Sequence, residues 1–446
     1  MGRNNIIGVT LLAKPEAMTT SRRNFIRTGG IAVATTGIAP VILNSCGNGN
    51  QEPEEAEAGT GLESIVNDVP AINQEDYDYR IERLCEQLSL NNMDAIFIEG
   101  GTNFRYFHNV TWGLSERVFG ALTAKDGTTC WICPAFEKER AVEVIPQGHK
   151  IYTWEEHESP YTLMNTVLSD MGIRTGRIGM DPTLRSFVSE GFRREIKVEV
   201  ADGLPATDNV RAIKTEKEIA YMDLANKVTK LAYQYGFSKL EEGMTKAQLS
   251  RHISQAHADL GAPGSGGPSF GFTSAFPHGT RQVRDLHDGD NVLVDGGCTI
   301  QGFRSDVTRT VVFGKISDRQ RQVFDVVLKA QQAAHKAIRP GVTCGEVDRV
   351  ARKVIEDAGF GPGYKYFAHR LGHGIGIDYH EYPYLVKDSQ VVLKPGMTFS
   401  NEPGIYIYGE FGMRTEDCFV VTDDGAHILG GMVAEAIDKP FSGNWQ

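Results

Sequence analysis

Apolar and polar positions follow two different periods along this chain. Tyr79 to Leu90 carries its apolar side chains at helical spacing, and Asp94-Ala-Ile-Phe-Ile-Glu99 is a short apolar run of the kind a buried strand makes. Thr128 to Pro134 and Arg177 to Asp181 are further strand candidates, so residues 71–207 read as an α/β domain. Arg105, Tyr106, His108 and Asn109 within it read as a solvated loop. From residue 208 the pattern changes. Thr215-x-x-Glu218, Thr245-x-x-Gln248, Ser317-x-x-Gln320 and Thr343-x-x-Glu346 have the form of capping boxes, each predicting a helix start. Ile219, Met222, Ala225, Val228 and Ala232 follow the first at helical spacing, and Val323, Phe324, Val327, Leu328 and Ala334 follow the third.

These helix pairs belong to an internal repeat. Leu240-Glu-Glu-Gly-Met-Thr245 matches Ile338-Arg-Pro-Gly-Val-Thr343 at an offset of 98. Leu286 to Asp295 matches Leu393 to Glu402 at 107, and Arg304-Ser-Asp306 matches Arg414-Thr-Glu416 at 110. Order is kept while the offset drifts, as loop insertions would cause. Residues 208–446 are therefore expected to form an α+β domain of two helix–helix–strand-pair halves.

The repeat sets Asp295 and Asp306 of one half against Glu402 and Glu416 of the other, all beside strand-forming sequence. A pseudo-twofold would gather these four acids at one centre. Four buried carboxylates cannot all stay ionised without cations, and two divalent ions supply the compensating charge. Phe367-Ala-His369-Arg-Leu-Gly-His373-Gly-Ile-Gly-Ile-Asp-Tyr-His380 offers the nitrogen donor, with His373 set between glycines. His278 precedes His380 by 102, near the repeat offset. Oxygen-rich ligation with one imidazole favours Mn²⁺, Fe²⁺ or Co²⁺ over structural zinc.

Composition narrows the setting. The chain has 446 residues and a formal charge of −11, which offers no counterion-release attraction to nucleic acid. No apolar run reaches the roughly 18 residues of a membrane span. Seven cysteines are too sparse for a disulfide scaffold, and Cys130-x-x-Cys133 lies in a strand-like stretch with no basic neighbour, so it reads as core. Residues 1–46 hold Ser21-Arg-Arg-Asn-Phe-Ile26 and then a small apolar run to Leu43, which resembles a twin-arginine (Tat) export signal, with Met18 a candidate start. Leu43-Asn-Ser-Cys46 resembles a lipobox, so the one membrane attachment expected is a lipid anchor at Cys46. Residues 47–70 read as an acidic flexible linker. The expected location is the periplasm or cell envelope.

Residues 208–430 resemble the catalytic domain of the pita-bread metallopeptidases, and most of all the Xaa-Pro peptidases (prolidase and aminopeptidase P). The resemblance rests on the eleven-residue Asp295–Asp306 spacing, His-Arg-Leu-Gly-His373-Gly-Ile-Gly, Asn-Glu402-Pro-Gly and Arg-Thr-Glu416-Asp. Asp94-Ala-Ile-Phe-Ile and Asn103-Phe-Arg-Tyr-Phe resemble the creatinase/prolidase N-terminal domain. The resemblance implies two divalent metals, manganese first and Co²⁺, Fe²⁺ or Zn²⁺ after it. Asp306, His373, Glu402 and Glu416 would hold one ion, and Asp295, Asp306 and Glu416 the other, with a bridging hydroxide as nucleophile. Glu402 would accept its proton, His278, His369 and His380 would hydrogen-bond the substrate, and Arg414 would orient a neighbouring acid. The implied substrates are short proline-containing peptides and the expected assembly is a homodimer. Other readings on the same fold are a creatinase- or ectoine-hydrolase-like enzyme, a methionine aminopeptidase, a DMSP lyase and a non-catalytic binding module. The complete ligand set speaks against the creatinase and binding-module readings, and Gly296-Gly297 after Asp295 against the lyase.

Overall fold

Residues 59–443 and 445 are described by the computed structural model of the protein. The twin-arginine segment and Cys46 lie outside them. The N-terminal domain is a six-stranded mixed sheet in the order Lys150–Trp154, Thr129–Pro134, Gly120–Ala124, Ala95–Glu99, Arg177–Met180, Glu199–Asp202. Ala95–Glu99 is buried at every position, as its unbroken apolar run requires of a strand covered on both faces. Cys130 and Cys133 sit buried in their strand, where burial pushes the Cys133 thiol up to about 12. The stretch expected as a loop is instead a helix, Thr102–His108, with Tyr106 and His108 buried and Asn109 capping it in the left-handed conformation. Its apolar partners, Phe104 and Phe107, decide this by packing into the core.

In the catalytic domain we label helices α1 (Glu216–Phe237), α2 (Lys246–Asp259), α3 (Asp318–Ala337) and α4 (Cys344–Asp357). Its principal strands are β1 (Gly264–Phe270), β2 (Asn291–Ile300), β3 (Val307–Val312), β4 (Gly372–Gly374), β5 (Thr398–Asn401) and β6 (Asp417–Val421). Thr215, Thr245 and Ser317 each close a reciprocal capping box. The fourth is half-made: Thr343 accepts from the Glu346 N–H, but the Glu346 carboxylate pairs with Arg349 instead of reaching back. Strand order β3-β2-β1 in one half answers β6-β5-β4 in the other, all antiparallel. The duplication seen in the sequence is thus a duplication in space. The two sheets meet where Thr308 bridges to Glu416.

Two glycines permit the close approaches this needs. A Cβ on Gly297 would overlap the Ser305 carbonyl, and one on Gly372 would overlap the Ser400 carbonyl. Both lie beside site residues.

The described part of the expected linker, from residue 59 to 70, is laid against the catalytic domain. The Thr60 hydroxyl donates to Asp259 at 2.5 Å, Leu62, Val66 and Val69 pack on the core, and the Tyr221 hydroxyl donates to the Pro70 carbonyl at 2.6 Å. Those apolar side chains gain burial that a free linker would forgo. The same core cluster joins Leu84, Phe104 and Phe107 of the first domain to Tyr221, Phe303 and Ile375 of the second. Among the described residues no helix is long and apolar enough to cross a membrane.

Candidate metal centre

Each half delivers two acids from equivalent points. Asp295 lies within β2 and Asp306 directly before β3; Glu402 follows β5 and Glu416 precedes β6. His373 is the middle residue of β4. All five line one cavity of about 260 Å³, together with His278, His369, Arg370, His380 and Arg414. His373 Nε2 stands 3.3 Å from Glu402 Oε1 and 3.7 Å from Asp306 Oδ2. Donor atoms of Asp306, His373 and Glu416 all lie within 4.8 Å of one another.

The electrostatics of this cluster are those of a site built for cations. Burial pushes the carboxyls of Asp306 and Glu416 well above the ordinary range, and their neighbouring carboxylates push them further. Burial lifts Glu402 to about 7. Burial also lowers His373, which keeps its imidazole neutral and able to donate a lone pair. A buried hydroxyl is orphaned here as well: Tyr233 Oη has no hydrogen-bond partner, and its ionisation is opposed by burial and then by Asp295, Asp306 and Glu416. Hard oxygen donors, one imidazole and a surplus of negative charge fit two divalent cations.

Asp295 is held from the other half. Arg414 Nη2 donates to Asp295 Oδ2 at 2.5 Å, and Arg414 Nε donates to Thr308 Oγ1 at 2.9 Å. Thr308 Oγ1 lies 2.6 Å from Glu416 Oε2 and 3.0 Å from Asp295 Oδ1. Arg414 Nη1 reaches the Tyr406 hydroxyl at 2.9 Å, and that hydroxyl meets His369 Nε2 at 2.8 Å. His369 Nδ1 stands 2.8 Å from the Arg370 carbonyl, so it carries the proton and Nε2 accepts from Tyr406. Both ring nitrogens of His369 are therefore engaged within the protein, which leaves it bracing the wall beside Glu402 instead of offering a free nitrogen to a substrate. His278 and His380 are exposed to the cavity mouth. The His380 ring lies 4.0 Å from that of His373, and its pKa is lowered to about 4 by burial first and then by the neighbouring basic side chains His373, Arg370 and His278.

Behind the acids, Asp417 is buried between Arg309 at 2.7 Å and Lys230 at 2.7 Å. This ion cluster anchors the start of β6 next to Glu416. Thr308, Tyr406 and Arg370 have no role that the sequence alone assigns. Thr308 carried a usable signal, since it lies two residues from Asp306 on the same face of an alternating strand. Tyr406 and Arg370 carried none beyond nearness to Glu402 and His369.

Paired acids and an imidazole at the junction of a duplicated α+β domain, preceded by an α/β domain, define a pita-bread metallohydrolase. The model of metallopeptidase family M24 matches residues 220–423, and that of the creatinase/prolidase N-terminal domain matches residues 80–213. An Xaa-Pro dipeptidase from Lactobacillus delbrueckii subsp. lactis is 33% identical over 355 residues, covering 77% of this chain and 95% of that protein. The crystal structure of a dipeptidase from Mycobacterium ulcerans is similar at 29% identity and a TM-score of 0.75, covering 81% of this chain and 97% of that one. That of a prolidase from Thermococcus sibiricus is similar at 29% identity and a TM-score of 0.71, covering 80% and 97%. The chain belongs to metallopeptidase family M24 and is a metal-dependent hydrolase with a creatinase/prolidase-type N-terminal domain.

Proposed function

We propose that the chain cleaves the bond before proline in short peptides, dipeptides above all. The observation that carries this is the convergence of Asp295, Asp306, His373, Glu402 and Glu416 on one small cavity. Relatives named Xaa-Pro dipeptidase and prolidase support the substrate class. These five residues would hold two divalent cations, manganese by preference, with Asp306 and Glu416 as the candidates to serve both. Cations bound there would supply Lewis acidity toward the scissile carbonyl and would lower the pKa of a water.

The chain's own groups do the rest. Glu402 lines the cavity 3.3 Å from His373 Nε2 and is the carboxylate placed to take and return the proton of the attacking water. His278 and His380 face the substrate side and suit the developing oxyanion and the leaving nitrogen. That nitrogen belongs to a tertiary amide without N–H and must be protonated to depart. Arg370 lines the cavity, rests on the Tyr384 ring at 4.4 Å and makes no ion pair among the described residues. Its guanidinium suits the free carboxylate of a dipeptide. A cavity of about 260 Å³ lies at the small end of ligand sites and favours short substrates.

Manganese-loaded protein is to be assayed on Gly-Pro, Ala-Pro-Pro and creatine. Proline release from Gly-Pro, slower turnover of Ala-Pro-Pro and none of creatine supports the proposal; turnover of creatine alone overturns it. We also propose twin-arginine export, lipidation at Cys46 and a homodimer. The first two rest on Ser21–Ile26 and Leu43–Cys46; cell fractionation, palmitate labelling and sedimentation velocity test the three.

A further inference from the structure

The short segment Gly376–Glu381 brings His380 to the cavity and is held by residues that never touch the cavity themselves. Glu381 follows His380 and is buried, 7% exposed. It accepts from Lys214 Nζ at 2.6 Å and also from Arg211. Arg211 further donates to Asp378 Oδ2 at 2.7 Å and to Asn103 Oδ1 at 2.9 Å. Asn103 in turn donates to Asp181 at 2.5 Å, and the Thr102 hydroxyl donates to Asp378 Oδ1 at 2.7 Å. Across the segment, Arg304 donates through its backbone N–H to the Gly376 carbonyl at 2.8 Å and through Nε to the Ile377 carbonyl at 2.7 Å.

Thr102, Asn103 and Asp181 belong to the N-terminal domain, Arg211 to the helix Leu204–Ala212 that leaves it, and Arg304 to the first half of the catalytic domain. The cavity segment is thus pinned from three sides. A buried ionic network returns little net stability, because desolvation cancels most of the attraction; apolar packing would join the domains at least as firmly. What charged, directional bonds add is a defined position. The residue whose position they define is His380, one bond from Glu381 and two residues from Asp378.

We propose that this network is a clamp through which the N-terminal domain sets the His380 imidazole against the metal centre, with Arg211, Asp378 and Glu381 as positioning residues. Its activity test rests on the Xaa-Pro reading given above. Arg211→Met and the milder Asp378→Ala, whose side chain is 39% exposed, are to be compared in the wild-type and His380→Ala backgrounds. Expected is a fall in kcat on Ala-Pro of about 10- to 100-fold for Arg211→Met, less for Asp378→Ala, with metal content per chain unchanged. In the His380→Ala background the same changes are expected to cost no more than about twofold, because groups acting through one residue are not additive. Equal losses in both backgrounds, or loss of metal, would overturn the proposal. Should wild-type protein not turn over Ala-Pro, the functional reading fails separately. The clamp is then judged by hydrogen exchange in the full chain: Asp378→Ala is expected to raise exchange across 376–381 while 291–300 stays protected, and unchanged exchange at 376–381 overturns it.

Discussion

Replacing Glu402 with glutamine isolates the cost of crowding acids in a buried site. In the metal-free protein burial lifts this carboxyl from its ordinary 4.5 to about 7, against the pull of Arg414 and with Asp295 adding to the rise. A carboxyl raised by folding contributes stability that is present below its unfolded value and lost as pH climbs through its folded value. The window is therefore about pH 4.5 to about pH 7. At about 1.4 kcal/mol per pH unit, the wild type gives up about 3 kcal/mol across it. Glu402→Gln keeps the volume and can still accept from the Ser400 hydroxyl, 3.2 Å away, but cannot ionise. The metal-free variant should therefore gain about 2 to 3 kcal/mol on the wild type between about pH 5 and about pH 8. Histidines that do not touch Glu402, such as His257, lowered to about 4 by burial, contribute equally to both chains and cancel in the difference. Guanidinium unfolding of chelator-stripped protein at both pH values measures it. With metal restored the sign reverses, because the variant has lost a ligand. A difference that stays constant with pH, or a metal-free variant that falls behind at the higher pH, would refute the reasoning.

Asp306→Ala is expected to lose both metals and all turnover; metal analysis that still finds two ions per chain would contradict its assignment as a shared ligand. Tyr406→Phe removes the hydroxyl between Arg414 and His369, and should lower kcat or metal affinity by about 10- to 100-fold, as loss of outer partners at metal sites does. Unchanged kinetics and metal titration would show that link to be idle. Asp417→Ala leaves Arg309 and Lys230 buried without their shared acid, and should cost about 3 to 5 kcal/mol in chemical denaturation. A loss below about 1 kcal/mol would mean that backbone carbonyls, such as those of Leu429 and Met432, satisfy the two cations alone.

Much of this molecule was legible in its residues because local rules acted without competition. All four hydroxyl-led boxes start helices as expected, since their partners lie within one turn. Only the return bond of the fourth is missing, because Arg349, also within reach, takes the Glu346 carboxylate. The Asp295, Asp306, Glu402 and Glu416 quartet was legible through the repeat, which relates positions however far apart they lie in the chain. The helix Thr102–His108 was not, because its mixed polar surface has no clean period and only the packing of Phe104 and Phe107 decides it. Residues 59–70 escaped for the same reason: their few apolar side chains find a surface that only the folded domain provides.

From residue order alone came the two-domain plan, the duplication and the kinds of group at the centre, all of which depend on spacing along the backbone. Distances across the junction of the halves came only with folding. Thr308 between Asp295 and Glu416, His369 engaged at both nitrogens, and a histidine held from a neighbouring domain through Arg211 are meetings of segments tens to hundreds of residues apart. Periodicity states which face a side chain takes; it holds no information about what the opposite face of another element will bring to meet it.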